Sequence, residues 1–267
     1  MPDLTPQRGL AEHPVRRPVV VAGASAGIGA DIARAFGAGG YPVALGARRV
    51  ERCEQVAAEI CAAGGAAHAF ELDVSDSASV TAFGKAVVDT LGEIEVLIAN
   101  AGLMTPGRVH DTSPDHLAAV LDTNVVGVQR LVTTFVPAMV ARRRGDVVLI
   151  SSDVVDQPRP LIGAYVSSKW AAEGLIRTLQ MELEGTGVRA SIVRPGPTAT
   201  EISTGWDMDE AVEVVKLGKK FGSLRHYGWL HPSSVAQTVA HVVGAPRGTH
   251  LALVHVTPEA PIVEDRT

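Results

Sequence analysis

Cysteine is almost absent from this chain: Cys53 and Cys61 are the only two in 267 residues, so no disulfide framework is expected. The pattern around them predicts a helix, on which their spacing amounts to about 12 Å of rise, beyond disulfide reach. A large charge imbalance is lacking too. With 24 basic and 29 acidic residues the formal net charge is −5, which gives no electrostatic reason to expect a nucleic-acid partner. The nine histidines fall at no metal-ligand spacing and the carboxylates are scattered, so no catalytic metal is predicted. No apolar run approaches the roughly 20 residues of a membrane span, and no signal-peptide core opens the chain. No internal repeat is found. These absences predict a cytoplasmic protein that engages neither membrane nor nucleic acid.

What is present is the composition of a globular domain, 46% hydrophobic and 20% charged, with enough residues to bury a sizeable core. Strand-like runs such as Pro18–Ala22 and Asp146–Ile150 alternate with helical patterns without a low-complexity linker, which predicts one doubly wound α/β domain over residues 18–258. Residues 1–17 hold three prolines and no periodicity and read as a mobile tail, and residues 259–267 as a C-terminal tail.

Two local patterns carry chemistry. Pro18–Ala22 runs into Gly23-Ala-Ser-Ala-Gly27-Ile-Gly29 and then into an apolar helix bearing Ile32 and Phe36. A strand, a glycine turn and a helix amino terminus together make a phosphate cradle, because glycine lets the backbone approach closely and the first N–H groups of the helix are free. A tight βα connection alone would explain a lone turn of this kind. The second pattern is Ser152 followed by Tyr165-Val-Ser-Ser-Lys169. Tyr165 and Lys169 are one helical turn apart on one face, where the cation can favour the phenolate. Ser152 follows a strand and Tyr165 opens a helix, the edge at which sites in open α/β sheets lie. Solvated helix faces often carry Tyr-x-x-x-Lys, so the pattern gains meaning only from its company.

Taken in order, these motifs resemble the short-chain dehydrogenase/reductase family, over about Pro18 to Pro246. The glycine turn matches with Ala22 where the family has threonine. Ala99-Asn100-Ala101-Gly102, Asn124, Ser152, Tyr165-x-x-x-Lys169 and Arg194-Pro195-Gly196-Pro197-Thr198-Ala199-Thr200 match its later elements. The resemblance implies a single Rossmann-type domain with a mostly parallel seven-stranded sheet and reversible hydride transfer between nicotinamide and a carbonyl or secondary alcohol carbon. It implies Tyr165 as proton donor, Ser152 as second hydrogen-bond donor, Lys169 on the nicotinamide ribose, and Asn124 at a helix kink holding a relay water. Cofactor contacts fall to Gly23, Ser25, Ala26, Gly27, Ile28, Gly29, Asn100, Ala101, Gly102, Tyr165, Lys169, Pro195, Gly196, Thr198 and Thr200, and Asp73 with Val74 would flank the adenine. Asp73 can also serve as a helix-cap ligand, although Ser75 is the better cap for the helix of Val80, Phe83 and Val87.

The second strand ends at Ala47, where dinucleotide folds often place a ribose-binding acid, and Arg48 and Arg49 follow. An arginine fork suits a 2′-phosphate, so NADP(H) is favoured over NAD(H); solvated loop arginines are the competing reading. Arg142–Arg144 is predicted to cap the carboxyl end of the helix begun near Pro114. Residues 203–232, with Trp206, Phe221, Tyr227 and Trp229 among glycines, read as a hinged apolar lid rather than one regular helix. With Met104, Val154, Val155, Leu161 and Ile162 it favours a small hydrophobic ketone or alcohol. Val125, Val128, Leu131 and Val132 suggest helix pairing across a two-fold axis, and the resemblance implies a homodimer or homotetramer. Two alternatives stay open: an NAD-linked alcohol dehydrogenase, and a non-catalytic dinucleotide-binding regulatory protein.

Overall fold

The computed structural model describes residues 16–203, 206–224 and 228–260. Its elements in chain order are β1 (Val19–Ala22), α1 (Gly27–Ala38), β2 (Pro42–Ala47), α2 (Val50–Ala62), β3 (Ala66–Glu71), α3 (Ser77–Leu91), β4 (Val96–Ala99) and α4 (Pro114–Leu121). A π-helical turn (Asp122–Val126) leads into α5 (Gly127–Ala141), followed by β5 (Gly145–Ile150), α6 (Gly163–Glu182), β6 (Val188–Pro195), α7 (Met208–Lys220), α8 (Pro232–Gly244) and β7 (Leu253–Val256). The seven strands form one sheet in the order β3-β2-β1-β4-β5-β6-β7, and every pairing is parallel.

Strands β1 and β4 read VVVA and VLIA and are buried at every residue, as a parallel strand covered on both faces requires. Alternate side chains enter opposite layers. Val19 and Val21 join Ile32, Phe36 and Val239 on one face, whereas Val20 and Ala22 join Phe83, Leu131 and Ile176 on the other. Full burial of each such aliphatic side chain contributes about 1.5–3 kcal/mol. Because strand order reverses between β1 and β4, their carboxyl ends flank a crevice, and the site lies there.

Several expectations need correction. The predicted tail stops short of residue 17: Arg17 is 1% exposed, ion-paired with Asp146, and donates from Nη2 to the Val243 carbonyl at 2.7 Å. The cap of α3 is Asp76, whose carboxylate accepts from the Ala78 N–H at 2.8 Å, rather than Ser75; Ser75 is taken by Asp73. The arginine run does close its helix, through the backbone: Arg142 is the carboxyl cap of α5 and its N–H donates to the Ala138 carbonyl at 3.1 Å, while the side chains of Arg142 and Arg144 pair with Glu93 and Glu95 at 3.0 and 2.5 Å. The 28 residues Pro114–Ala141 are long and apolar enough to cross a bilayer by length and composition, contrary to the expected lack of such a run. In the fold, Val128, Leu131, Val132, Phe135 and Met139 of that helix are buried against the sheet. Val128, Leu131 and Val132 are therefore not spare apolar surface. Finally, the expected lid contains a regular helix, α7, opened by a capping box between Asp207 and Glu210. Tyr227 and Gly205 lie outside the described residues.

Candidate active site

The glycine turn is shaped by backbone that a side chain would obstruct. Gly23 and Gly27 adopt φ of +80° and +56°, the left-handed region where glycine carries no steric penalty. A Cβ on Gly29 would sit 2.1 Å from the Gly23 carbonyl oxygen. Asn100, at the end of β4, donates from Nδ2 to that oxygen at 2.9 Å. The Gly23 and Ala24 N–H groups donate to the Gly46 carbonyl at 2.7 and 3.2 Å, so the turn is held without the hydroxyl that Ala22 lacks. Ala26 caps α1 with no side-chain hydrogen bond, which leaves the first N–H groups of the helix for an anion. This arrangement fits a dinucleotide pyrophosphate.

From the turn a groove extends over Ala47, Arg48, Arg49, Asp73 and Val74. Asp73 accepts from the Ser75 N–H and hydroxyl at 2.9 and 2.6 Å, and the hydroxyl bond holds its pKa below the usual carboxylate value. Arg49 donates to Ser25 Oγ at 3.1 Å and to Glu201 at 3.2 Å, and Arg52 donates to the same Glu201 oxygen at 2.7 Å. Glu201 and Arg52 were not singled out from sequence; only the fold brings Glu201 beside residues so distant in the chain. Arg48 borders the groove and makes no hydrogen bond or ion pair among the described residues.

At its other end the groove opens, past Ile28, Asn100, Gly102, Met104 and Thr200, into a second cavity of about 430 Å³. There Ser152, Tyr165, Lys169, Pro195, Gly196 and Thr198 come together. Ser152 follows β5 by two residues and Tyr165 and Lys169 lie on the first turns of α6. Thr198 donates to the Gly196 carbonyl at 2.8 Å, and Thr200 lies against Gly27.

The Lys169 ammonium donates to the Ile150 carbonyl at 2.8 Å and lies 5.5 Å from the centroid of the Tyr165 ring. Burial lowers its pKa to about 8, against the opposing pull of Glu173. Burial likewise pushes the Tyr165 phenol up to about 12, with the Ser152 hydroxyl acting in the opposite direction. In the protein alone burial dominates the phenol.

Asn124 stands behind the wall, in the π-turn. Its Oδ1 accepts from the Leu103 N–H at 2.7 Å, and its Nδ2 donates to the Leu103 carbonyl and to Ser168 Oγ at 2.9 and 2.8 Å. Through these bonds Asn124 ties the loop after β4 to α6. A deeper network lies below. Glu173 accepts from Ser151 Oγ at 2.6 Å and from Arg194 Nε and Nη2 at 2.7 and 2.5 Å, while Arg194 Nη1 reaches Asp156 at 2.7 Å.

The cavity walls are largely apolar. Ile162, Trp206, Val214, Val215, Leu224 and Trp229 line them, and Trp206 donates from Nε1 to the Met104 carbonyl at 3.4 Å. Of the predicted wall residues, Met104 and Ile162 are present, and Val154 packs behind Tyr165. Val155 and Leu161 do not reach the wall, and Phe221 is exposed to solvent. The α7 contributors Ala211, Val214 and Val215 were missed, although their helical spacing was a signal.

A doubly wound sheet with a glycine-turn groove leading to a hydroxyl, a phenol and an ammonium defines a dinucleotide-dependent oxidoreductase. The short chain dehydrogenase family pattern matches residues 17–211, and the chain belongs to that family, whose members act on CH–OH or C=O groups with NAD(P)(H). It is 31% identical over 237 residues to the 2,3-dihydro-2,3-dihydroxybenzoate dehydrogenase of Bacillus subtilis, covering 85% of this chain and 89% of that one. It is 35% identical over 234 residues to the glycine betaine reductase of Emericella nidulans, covering 88% of this chain but only 18% of the fungal protein. Among solved structures, the alcohol dehydrogenase of the archaeon Thermococcus sibiricus complexed with 5-hydroxy-NADP superposes with a TM-score of 0.79 at 32% identity, covering 94% of this chain and 100% of that one.

Proposed function

We propose that this protein reduces the carbonyl group of a small hydrophobic ketone with NADPH and oxidises the corresponding secondary alcohol in reverse. The observation that carries this reading is the meeting of Ser152, Tyr165 and Lys169 where the glycine-turn groove opens into an apolar cavity. When bound, the nicotinamide supplies the hydride. Tyr165 gives its proton to the oxygen that develops negative charge at the reacting carbon, and Ser152 donates a second hydrogen bond to that oxygen. Lys169 holds the nicotinamide ribose, and Asn124 keeps α6 in register with the cofactor loop and orders a relay water. The pyrophosphate rests on residues 23–29, with Asp73 and Val74 beside the adenine and Asn100, Ala101, Gly102, Pro195, Gly196, Thr198 and Thr200 along the groove. Residues 18–258 act as one catalytic unit with 203–232 as its lid, in the cytoplasm. Incubation with reduced cofactor and a panel of apolar ketones tests this: loss of nicotinamide absorbance is expected, and none with any ketone would refute it.

Support for NADP(H) comes from Ala47, Arg48 and Arg49 at the end of β2 and from the NADP analogue bound to the archaeal relative. Arg48→Asp is expected to weaken NADPH binding by roughly one to two orders of magnitude, as a charge-assisted contact is lost and repulsion added. Fluorescence titration measures it; unchanged preference for NADPH over NADH would exclude Arg48 from the phosphate site. One observation favours NAD(H) instead: Glu201 already accepts from Arg49 and Arg52, and its carboxylate would repel a 2′-phosphate.

Two-fold assembly is the expected quaternary state. The apolar surface available for it is Val126, Trp170 and Met181, exposed on the α4–α5 and α6 helices. Light scattering at micromolar concentration should return twice the 27.9 kDa chain mass or a larger multiple; a monomer mass would overturn it.

A further inference from the structure

The substrate cavity contains a cation that the chemistry above does not use. Arg159 lines it together with Asp153, Ser152 and Tyr165, and its side chain is only 11% exposed. Its guanidinium offers five N–H donors. Among the described residues it makes one hydrogen bond, from Nη2 to Asp153 Oδ2, which leaves Nη1 for a ligand; Nε has no acceptor either but is buried beyond a ligand's reach. Asp153 in turn accepts from Ser152 Oγ at 3.3 Å, so the guanidinium is two contacts away from the hydroxyl assigned to the reacting oxygen.

Donors held in an apolar cavity without acceptors are costly unless a ligand supplies the acceptor. Charge decides which kind. Asp153 already neutralises Arg159, and Lys169, the other cation of the lining, is assigned to the nicotinamide ribose, so a substrate carboxylate beside the pair would meet no uncompensated cation among Ile162, Trp206 and Leu224. An uncharged carbonyl or hydroxyl oxygen fills the donors and adds none.

Resting on the proposed carbonyl reduction, we infer that Arg159 is a specificity-determining residue that holds a second, uncharged oxygen of the substrate. The preferred substrates are then apolar dicarbonyl or hydroxycarbonyl compounds, with one oxygen on Tyr165 and Ser152 and the other on Arg159.

The test is kcat/KM of the purified full-length chain with its reduced cofactor. Three substrates of equal chain length are compared: an apolar vicinal diketone, the monoketone and the α-keto acid. The wild type should favour the diketone over the monoketone by at least about tenfold, and over the keto acid by more, since a site built to hydrogen-bond an oxygen discriminates strongly against analogues lacking it. In Arg159→Met that ratio should fall to near one, and in Arg159→Lys to an intermediate value. If Arg159→Met fails to fold with Asp153 left unpaired, Asp153→Asn/Arg159→Met removes both charges and should show the same collapse. Equal use of diketone and monoketone by the wild type, or a preference for the keto acid, overturns this inference and leaves ketone reduction standing. No turnover of any of the three overturns both.

Discussion

Tyr165→Phe is expected to lower turnover by about 10²–10⁴-fold, the range supplied by a positioned proton donor, while cofactor affinity stays nearly unchanged. The substitution removes one hydroxyl and keeps the ring that packs with Val154 and Ile162, so the wall of the site survives. The phenol suits the reductive direction: its pKa of about 12 keeps the proton in place across the neutral range. Single-turnover kinetics beside a cofactor-fluorescence titration separate chemistry from binding. Wild-type kcat in the variant would remove Tyr165 from the mechanism.

Glu173→Gln is expected to be the most destabilising single change in the site, at about 3–5 kcal/mol. Glu173 is 2% exposed and accepts both Arg194 donors and the Ser151 hydroxyl. The neutral amide leaves a buried guanidinium with Asp156 as its remaining carboxylate. The double variant Glu173→Met/Arg194→Leu, which removes both charges, should recover most of the loss in denaturant unfolding. A second effect follows at Lys169. Its pKa is set near 8 by burial, with Glu173 pulling it upward, so removing the carboxylate lowers it further. The ammonium is charged below its pKa, and the alkaline limb of the pH–rate profile should therefore move to lower pH. A variant as stable as wild type, with that limb unmoved, would show Glu173 to be a bystander.

The parts of this protein legible in its sequence are those fixed by short-range spacing. Continuous apolar runs marked β1, β4 and β5 because strands covered on both faces have no polar alternation. The glycine turn and the Tyr165–Lys169 interval could be placed from backbone sterics and helix periodicity alone. The remainder depends on partners far along the chain or on burial. Arg17 read as part of a tail because its partner Asp146 lies 129 residues away. Ser75 and Asp76 both carry capping oxygens, and only the bond from Ser75 to Asp73 decides between them. Spacing puts the Lys169 ammonium where it can favour the Tyr165 phenolate, but the burial that dominates both groups is not encoded in spacing. Helix α7 is hidden in sequence because Gly218 and the glycines flanking it, Gly222 among them, outweigh the capping box at Asp207 and Glu210.

Helix α8 packs against α1, burying Val235, Val239 and Val243 in the layer that holds Ile32 and Phe36. During synthesis α1 emerges well before α8, and at 5–20 residues per second the interval is on the order of 10–40 s. Through that time one apolar flank of the nascent cofactor fold lacks its cover. The half of the molecule that carries the glycine turn is thus translated before the helix that completes its core.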